Sequence, residues 1–164
     1  MIEPLPDGGS EFLIKQTRLM LSSYRHWTGK SLWPDQKPDE MLVREVFFAP
    51  FVLCSAGTEK DPVLNYGNQK ALDLWEMDWT RFTRTPGRLT AEPMERKERE
   101  RFLETVRKQG YIDHYRGIRV SRTGRRFEIL QATVWNLFRP DGAYAGQAAA
   151  FENWENLSGT KFSV

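Results

Sequence analysis

Large aromatic side chains, with amide side chains among them, are the residues of this sequence best suited to chemistry. Seven rings and five amides are spread over residues 65–151: Tyr66, Trp75, Trp79, Tyr111, Tyr115, Trp135 and Phe151, with Asn65, Asn68, Gln131, Asn136 and Gln147. Ligand pockets are mostly apolar and carry a few convergent polar groups, so this combination can bind a small molecule. The same rings can equally fill a hydrophobic core, and the sequence leaves both interpretations open.

The sequence lacks the motifs that carry catalysis. It contains no G-x-S-x-G, no P-loop, no H-E-x-x-H and no G-x-G-x-x-G, which are the patterns of nucleophile elbows, phosphate-binding loops, zinc proteases and dinucleotide sites. Its one cysteine, Cys54, excludes an intramolecular disulfide, and its Cys and His residues show no metal-ligand spacing. We therefore predict that the protein is not an enzyme and has no metal site.

The net charge and hydropathy of the chain argue against nucleic acid and membranes as binding partners. The 24 basic and 22 acidic residues nearly balance, so bulk electrostatics gives no strong attraction to nucleic acid or to a membrane surface. No apolar run approaches the ~20 residues that span a bilayer, and the first residues form no secretory signal. We predict a cytoplasmic protein with no membrane or nucleic-acid partner.

The chain is short enough for one folded domain. We predict three parts within its 164 residues: an N-terminal helix and connector at 1–44, a core at 45–155 and a tail at 156–164. Ser10 precedes an amphipathic run that Gly29 ends, which predicts a capped helix at residues 11–28. The following segment, residues 31–41, contains two prolines and is expected to be a connector.

Short strands and helices are predicted for the middle of the chain. Residues 51–55 and 63–66 favour a β-hairpin, and helical spacing follows at 69–75 and 79–83. The run from 92 to 110 has a proline near its start and Lys108 just before Gly110. These signals predict a longer helix with one thin buried stripe.

Three strands are predicted to close the chain. They cover residues 114–122, 125–138 and 143–154, and the turns Thr123-Gly124 and Pro140-Asp141-Gly142 separate them. Such short turns join antiparallel neighbours. The predicted fold class is therefore α+β, with a five-stranded antiparallel sheet, helices packed on one side and the N-terminal amphipathic helix.

Phrases across most of the chain resemble one protein family. They are SYRHWTG, APFVL, NYGNQKALDLWEM, PGRLTAEP, GYIDHYRGIRVSRTGRRF, ATVWNLF and GQAAAF. The junction LNYGNQKAL, with Asn68, Ala71 and Leu74, resembles the strand-to-helix junction of PAS domains. The chain as a whole resembles bacterial, stand-alone proteins of the MEKHLA domain family, a PAS-related group also found at the C-terminus of plant homeodomain-leucine-zipper transcription factors.

This resemblance implies a PAS-like fold and a sensory or regulatory role. PAS domains hold small molecules between sheet and helices, and on that basis eight residues are predicted to bind a ligand: Tyr66, Asn68, Trp75, Trp79, Arg88, Tyr115, Trp135 and Gln147. Arg88 is expected in a loop over the cavity mouth, either as an anion anchor or as a partner for Glu92. The alternative is a ligand-free module that dimerises or binds a protein through the outer sheet face.

The resemblance identifies no cofactor. Light-sensing PAS relatives bond a flavin through a cysteine after the Asn-led junction, whereas Cys54 precedes it. Haem-binding relatives ligate iron through a His on the long helix, and His114 lies just past that helix. The motifs therefore support neither haem nor flavin, and the cofactor is left unknown.

Both faces of the predicted sheet are expected to be covered. Residues 126–138 are apolar at both alternating sets of positions, whereas a half-exposed antiparallel sheet alternates apolar with polar residues. The N-terminal helix, a second subunit or both must cover the outer face. We predict a homodimer through this face.

Arginines crowd the hairpin around Thr123-Gly124. They are Arg116, Arg119, Arg122, Arg125 and Arg126. Strand alternation places Arg119 on the face opposite to Arg116, so only the three arginines nearest the turn form a cluster. Such a cluster can clamp a carboxylate or phosphate or contact nucleic acid, or it can protect a sheet edge from pairing.

Overall fold

The computed structural model describes residues 10–157. Helix α1, Glu11–Thr28, begins at Ser10, whose side chain accepts a hydrogen bond from the Leu13 N–H, and ends at Gly29 with a left-handed φ of 74°. Both ends agree with the prediction, because the serine satisfies a free N–H group and glycine adopts this φ without strain. The predicted tail lies almost entirely outside the described residues.

A second helix, α2 (Asp39–Phe47), follows α1 and corrects the prediction for this region. The sequence predicts a connector through residue 41, but the helix already begins directly after Pro38. Proline disrupts a helix interior and is tolerated at its start, so Pro38 precedes the helix and does not interrupt it. The predicted boundary between residues 44 and 45 falls inside α2.

The strands form one antiparallel sheet. They are β1 (Val52–Ala56), β2 (Leu64–Gly67), β3 (Tyr111–Val120), β4 (Arg126–Phe138), β5 (Tyr144–Phe151) and β6 (Asn153–Asn156). The order across the sheet is β2-β1-β5-β4-β3, and β6 pairs with the first part of β4. The predicted α+β class and antiparallel sheet are confirmed, and the last predicted strand divides at Glu152 into β5 and β6.

Strand β4 is irregular at the point where its neighbour changes. It pairs with β6 up to Leu130 and with β5 from Thr133, and Gln131 between them has a φ of 48°. An irregularity of this kind shifts the alternation of side chains by one position. Residues before and after Gln131 that are separated by an even number of positions therefore point to opposite faces of the sheet.

Helices between β2 and β3 cover one face of the sheet. They are α3 (Gln69–Trp75), α4 (Trp79–Phe82), a 3-10 turn at Gly87–Thr90 and α5 (Pro93–Gln109). Helix α5 has Pro93 in its first turn and ends at Gly110, as predicted. We call the face of the sheet toward α3, α4 and α5 the inner face.

Helix α1 covers the opposite face, which we call the outer face. The Trp135 indole Nε1 donates a hydrogen bond to the Met20 carbonyl oxygen at 3.2 Å, and the Tyr24 ring packs edge-on against Trp135. Gln16 Nε2 also donates to Ser55 Oγ of β1. The N-terminal helix is therefore confirmed as a cover of this face, and the second subunit stays a prediction.

Candidate functional site

A cavity of about 110 Å³ lies between the inner face and helices α3, α4 and α5. We call it the inner cavity. Its walls combine residues of the sheet and of the helices, chiefly Cys54, Ala56, Tyr115, Arg119, Ile129, Ala132, Val134, Gln147, Ala149 and Phe151 from the strands, and Trp75, Phe82, Arg99, Phe102 and Leu103 from the helices. The walls are mostly apolar with a few polar groups, which is typical of a small-molecule site.

Trp75, Tyr115 and Gln147 are the members of the predicted ligand set that line the inner cavity. The Trp75 ring packs edge-on against Phe127 and Phe151, with centroid distances of 5.3 and 6.3 Å. Its indole Nε1 is buried and has no hydrogen-bond partner among residues 10–157. A buried tryptophan N–H usually finds an acceptor, so this cavity-lining residue carries a donor that the described residues leave unsatisfied.

Gln147 joins the inner cavity to the end of α5. Its Nε2 donates to the Leu103 carbonyl at 3.0 Å and to Asn136 Oδ1 at 3.1 Å. Asn136 Nδ2 in turn donates to the carbonyl oxygens of Val106 and Arg107. The last carbonyls of a helix lack intrahelical partners, so these two amides attach the end of α5 to the sheet.

Trp135 does not line the inner cavity. Trp135 is separated from Phe127 and Ile129 by an even number of positions, so in a regular strand all three side chains would point to the same face. Phe127 and Ile129 point to the inner face, but the Trp135 side chain contacts α1 on the outer face. The positive φ of Gln131 reverses the alternation between Ile129 and Trp135. The structure therefore corrects the predicted position of Trp135.

Tyr66 and Trp79 pack together away from the inner cavity. Their rings meet edge-on at 5.7 Å, and Phe47 of α2 packs against both. Tyr66 lies directly across from Ser55 in the sheet, and burial raises the pKa of its hydroxyl. These rings fill a hydrophobic core beside α2, the alternative that the sequence left open.

Asn68 connects α3 to β1 through side-chain hydrogen bonds and does not line the inner cavity. Its Oδ1 accepts hydrogen bonds from the N–H groups of Leu53 and Ala71 at 3.0 and 3.2 Å. Its Nδ2 donates to the carbonyl oxygens of Phe51 and Val46 at 2.8 and 3.3 Å. Since each side-chain atom already has two partners, Asn68 caps α3 and fixes it to β1.

Arg88 lies in the loop predicted for it, but it binds another partner. Its Nε donates to Asp61 Oδ2 at 3.0 Å, and both side chains are about half exposed. Glu92, the partner considered in the sequence analysis, pairs with Arg126. Arg88 is absent from the cavity wall, whereas Thr90 of the same turn belongs to it.

Most arginines of the β3–β4 hairpin have partners in the protein. Arg122 Nε donates to the Glu76 carbonyl and Arg125 Nη2 to the Leu74 carbonyl, both at 2.8 Å. They satisfy carbonyl groups at the end of α3. Arg116 pairs with Glu128 across the sheet, so this cluster holds the hairpin against α3.

Arg119 differs from its neighbours because it enters the inner cavity. It stands opposite Phe127 in the β3–β4 ladder and is only 7% exposed. Its guanidinium lies 5.3 Å from the Tyr115 ring centroid, and its Nη1 donates to the adjacent Ile118 carbonyl. Arg119 was counted among the hairpin arginines by the sequence analysis, and its role in the cavity wall was missed.

Arg99 of α5 also lines the inner cavity, and sequence reasoning missed it. Burial first, and the charge of Arg119 second, lower the pKa of Arg99 to about 10. Burial raises the pKa of the nearby Cys54 thiol to about 11, although the charges of Arg119 and Arg99 act to lower it. Arg99 lies three and seven residues before Phe102 and Val106, and this helical spacing was the signal that could have located it.

Among residues 10–157, no three His, Cys, Asp or Glu side chains are grouped so that they could hold a metal ion. No helix of the same residues is long and apolar enough to cross a membrane.

The sheet order and the inner cavity define a PAS-like domain. The structure matches the PAS domain of a protein from Colwellia psychrerythraea with a TM-score of 0.59 and 8% identity, over 72% of this chain and 95% of that one. It matches a fungal LOV domain photoreceptor with a TM-score of 0.58 and 13% identity, over 92% of this chain and 94% of that one. At these identities the matches show the fold alone.

The sequence comparison is more specific. The MEKHLA domain matches residues 14–156, and the chain therefore belongs to the MEKHLA domain family. The homeobox-leucine zipper protein ATHB-14 of Arabidopsis thaliana is 26% identical over 157 residues, which cover 93% of this chain. The chain spans only 18% of the length of that plant protein.

Proposed function

We propose that this chain is a sensory or regulatory module that binds a small molecule in the inner cavity and does not catalyse a reaction. The observation that carries the proposal is the mostly apolar inner cavity, which is lined by Trp75, a residue whose buried indole N–H has no acceptor among the described residues. Leaving such a donor unsatisfied costs about 1 to 3 kcal/mol. A ligand with an acceptor at this position would remove that cost.

The proposed ligand site combines three predicted residues with three others. Trp75, Tyr115 and Gln147 remain from the predicted set, and Arg99, Phe102 and Arg119 join them. Tyr66, Asn68, Trp79, Arg88 and Trp135 support the fold around the site.

A series of hydrogen-bonded residues connects the inner cavity to α1. Gln147 donates to the Asn136 side chain, and the Asn136 carbonyl accepts a hydrogen bond from Trp27 Nε1 of α1 at 2.9 Å. A ligand that changes the position of Gln147 would act through this chain of contacts on the helix at the outer face. We propose α1 as the element that passes the signal to a partner.

Native mass spectrometry of the freshly purified protein tests ligand binding. We expect a stoichiometric extra mass that is lost on denaturation. Ala149→Phe fills the cavity from β5 and should remove the extra mass, while circular dichroism verifies that the variant is folded. If the native wild-type protein shows only its own mass and no compound shifts its unfolding temperature, the proposed function is wrong.

The alternative, a ligand-free dimerisation module, receives less support. The outer face that was predicted to pair with a second subunit lies under α1, with Trp135 bonded to Met20. Sedimentation over a range of concentrations tests the homodimer, and a monomer at every concentration would reject it. That the protein is a bacterial, stand-alone member of its family and that it is cytoplasmic remain predictions.

A further inference from the structure

We propose that the ligand of the inner cavity is a small organic acid whose carboxylate lies between Arg99 and Arg119 and whose apolar part lies against the sheet. This inference rests on the proposed function and names the chemical class of its ligand. Three observations carry it: the unsatisfied donors, the charge of the cavity and the character of its remaining walls.

The two guanidinium groups have far more donors than the protein satisfies. Among the described residues, the hydrogen bond from Arg119 Nη1 to the Ile118 carbonyl accounts for one donor, and the Arg99 guanidinium has neither a hydrogen-bond acceptor nor an ion-pair partner. The planar guanidinium fork suits a carboxylate, which accepts two parallel N–H bonds. Trp75, which also lines the cavity, has a buried indole N–H without a partner among the described residues.

The charged residues that line the inner cavity are Arg99 and Arg119, both positive. None of the described residues that line it is Asp or Glu, whereas Arg88, Arg116 and Arg126 elsewhere in the fold each bind a carboxylate. Arg119 lies close enough to Arg99 to lower the pKa of the Arg99 guanidinium. Two close cations without a counter-charge repel each other, and an anion between them would be attracted by both.

The other walls favour an organic acid over an inorganic anion. Ile129, Ala132 and Val134 of β4 present apolar side chains to the cavity, and these would have no apolar partner in a phosphate or sulfate ion. The cavity of about 110 Å³ is smaller than the ~300 to 1,000 Å³ of sites for drug-sized ligands. A molecule of the size of butyrate suits both the volume and the two kinds of wall.

Thermal unfolding with matched probes tests the inference. The panel contains acetate, butyrate and benzoate, their neutral amides and inorganic phosphate, all at one ionic strength set with sodium chloride. We expect butyrate or benzoate to raise the unfolding temperature by at least about 2 °C at saturation, whereas the amides leave it unchanged. Arg99→Met and Arg119→Met should weaken binding of the acid at least tenfold, because each keeps the apolar stem and removes the charge.

Arg101→Met is the matched control, because Arg101 lies on the exposed side of α5. It should bind the acid with unchanged affinity. Amides that stabilise the protein as strongly as their acids would overturn the carboxylate proposal and leave small-molecule binding intact. Phosphate that acts as strongly as butyrate would overturn the organic part of the proposal. If no acid has an effect, the inference fails, and the mass measured under native conditions decides the proposed function separately.

Discussion

The indole nitrogen of Trp135 donates a hydrogen bond to the carbonyl oxygen of Met20 across 3.2 Å, and this contact joins β4 to α1 on the outer face. Trp135 is fully buried there, on the side of the sheet opposite to the inner cavity. Trp75 belongs to the cavity wall, so Trp135 and Trp75 lie on opposite faces of the sheet although the sequence analysis assigned both to one ligand set.

Trp135→Phe should reduce stability without changing ligand binding. The variant loses one buried hydrogen bond and part of a large ring, so we expect the free energy of unfolding to fall by about 1 to 3 kcal/mol. Urea unfolding measures this change. The extra mass seen in native spectra should remain, and its loss from a folded Trp135→Phe protein would contradict the assignment of Trp135 to the outer face.

Asn68→Ala should destabilise the fold strongly. The substitution leaves the N–H groups of Leu53 and Ala71 and the carbonyl oxygen of Phe51 without the partner they now have. We expect a loss of about 2 to 4 kcal/mol in the free energy of unfolding, measured by urea denaturation.

Lys70→Ala, two residues further along α3 and exposed, is the control for Asn68→Ala. It should change the free energy of unfolding by less than about 0.5 kcal/mol. If the two variants unfold at the same urea concentration, Asn68 does not join α3 to β1 in the way described.

Arg99→Met should stabilise protein that has been refolded without ligand. Arg99 lines a cavity whose described walls contain no Asp or Glu, and burial first and the charge of Arg119 second lower its pKa to about 10. A lowered pKa of a cationic group means that folding disfavours the charged form, so at neutral pH the charge costs stability. We expect a gain of about 1 kcal/mol at low salt, smaller at high salt. A loss of stability in Arg99→Met, with Arg101→Met unchanged, would show that the Arg99 charge is already compensated by the protein.

Glu76→Gln should make stability less dependent on acid pH. Hydrogen bonds from the hydroxyl groups of Ser121 and Thr123, each 2.5 Å long, lower the pKa of the Glu76 carboxyl below its ordinary value of 4.5. A group whose pKa is lower in the folded state contributes stability above its unfolded pKa and loses it as the pH falls through the folded value.

We therefore expect Glu76→Gln to cost about 1 kcal/mol at pH 7 and progressively less below pH 4.5. Urea unfolding at several pH values provides the measurement. Glu104→Gln, at an exposed position of α5, should show no such trend. A cost for Glu76→Gln that stays constant down to pH 3 would show that the Glu76 carboxylate charge is not the source of the stability.

Local signals predicted the helix ends and the sheet class, whereas tertiary contacts decided the site. Ser10, Gly29, Pro93 and Gly110 mark ends of α1 and α5 through their own backbone preferences, and those ends were predicted correctly. The face of Trp135 could not be predicted, because it depends on one positive φ at Gln131 in the interior of β4.

Asn68 and the two cavity arginines show the same limit. Asn68 was noticed through its place at a strand-to-helix junction, but its hydrogen bonds to Val46 and Phe51 come from chain segments that meet only in the fold. Arg99 has the helical spacing of the buried residues of α5, but it stands in a run of charged residues that was predicted to face solvent. Strand alternation set Arg119 apart in the sequence, but only the fold shows that Arg119 lines the cavity while Arg122 and Arg125 bind carbonyl groups at the end of α3.

The indole signals in a ¹⁵N–¹H spectrum, recorded while butyrate and then benzoate is added, test the central claim most directly. The chain has six tryptophans, and the Trp75→Phe and Trp135→Phe variants assign the two signals of interest. We expect the Trp75 signal to move and reach saturation with the acid, while the Trp135 signal stays in place. A Trp75 signal that remains fixed, or a Trp135 signal that moves instead, would contradict ligand binding in the inner cavity.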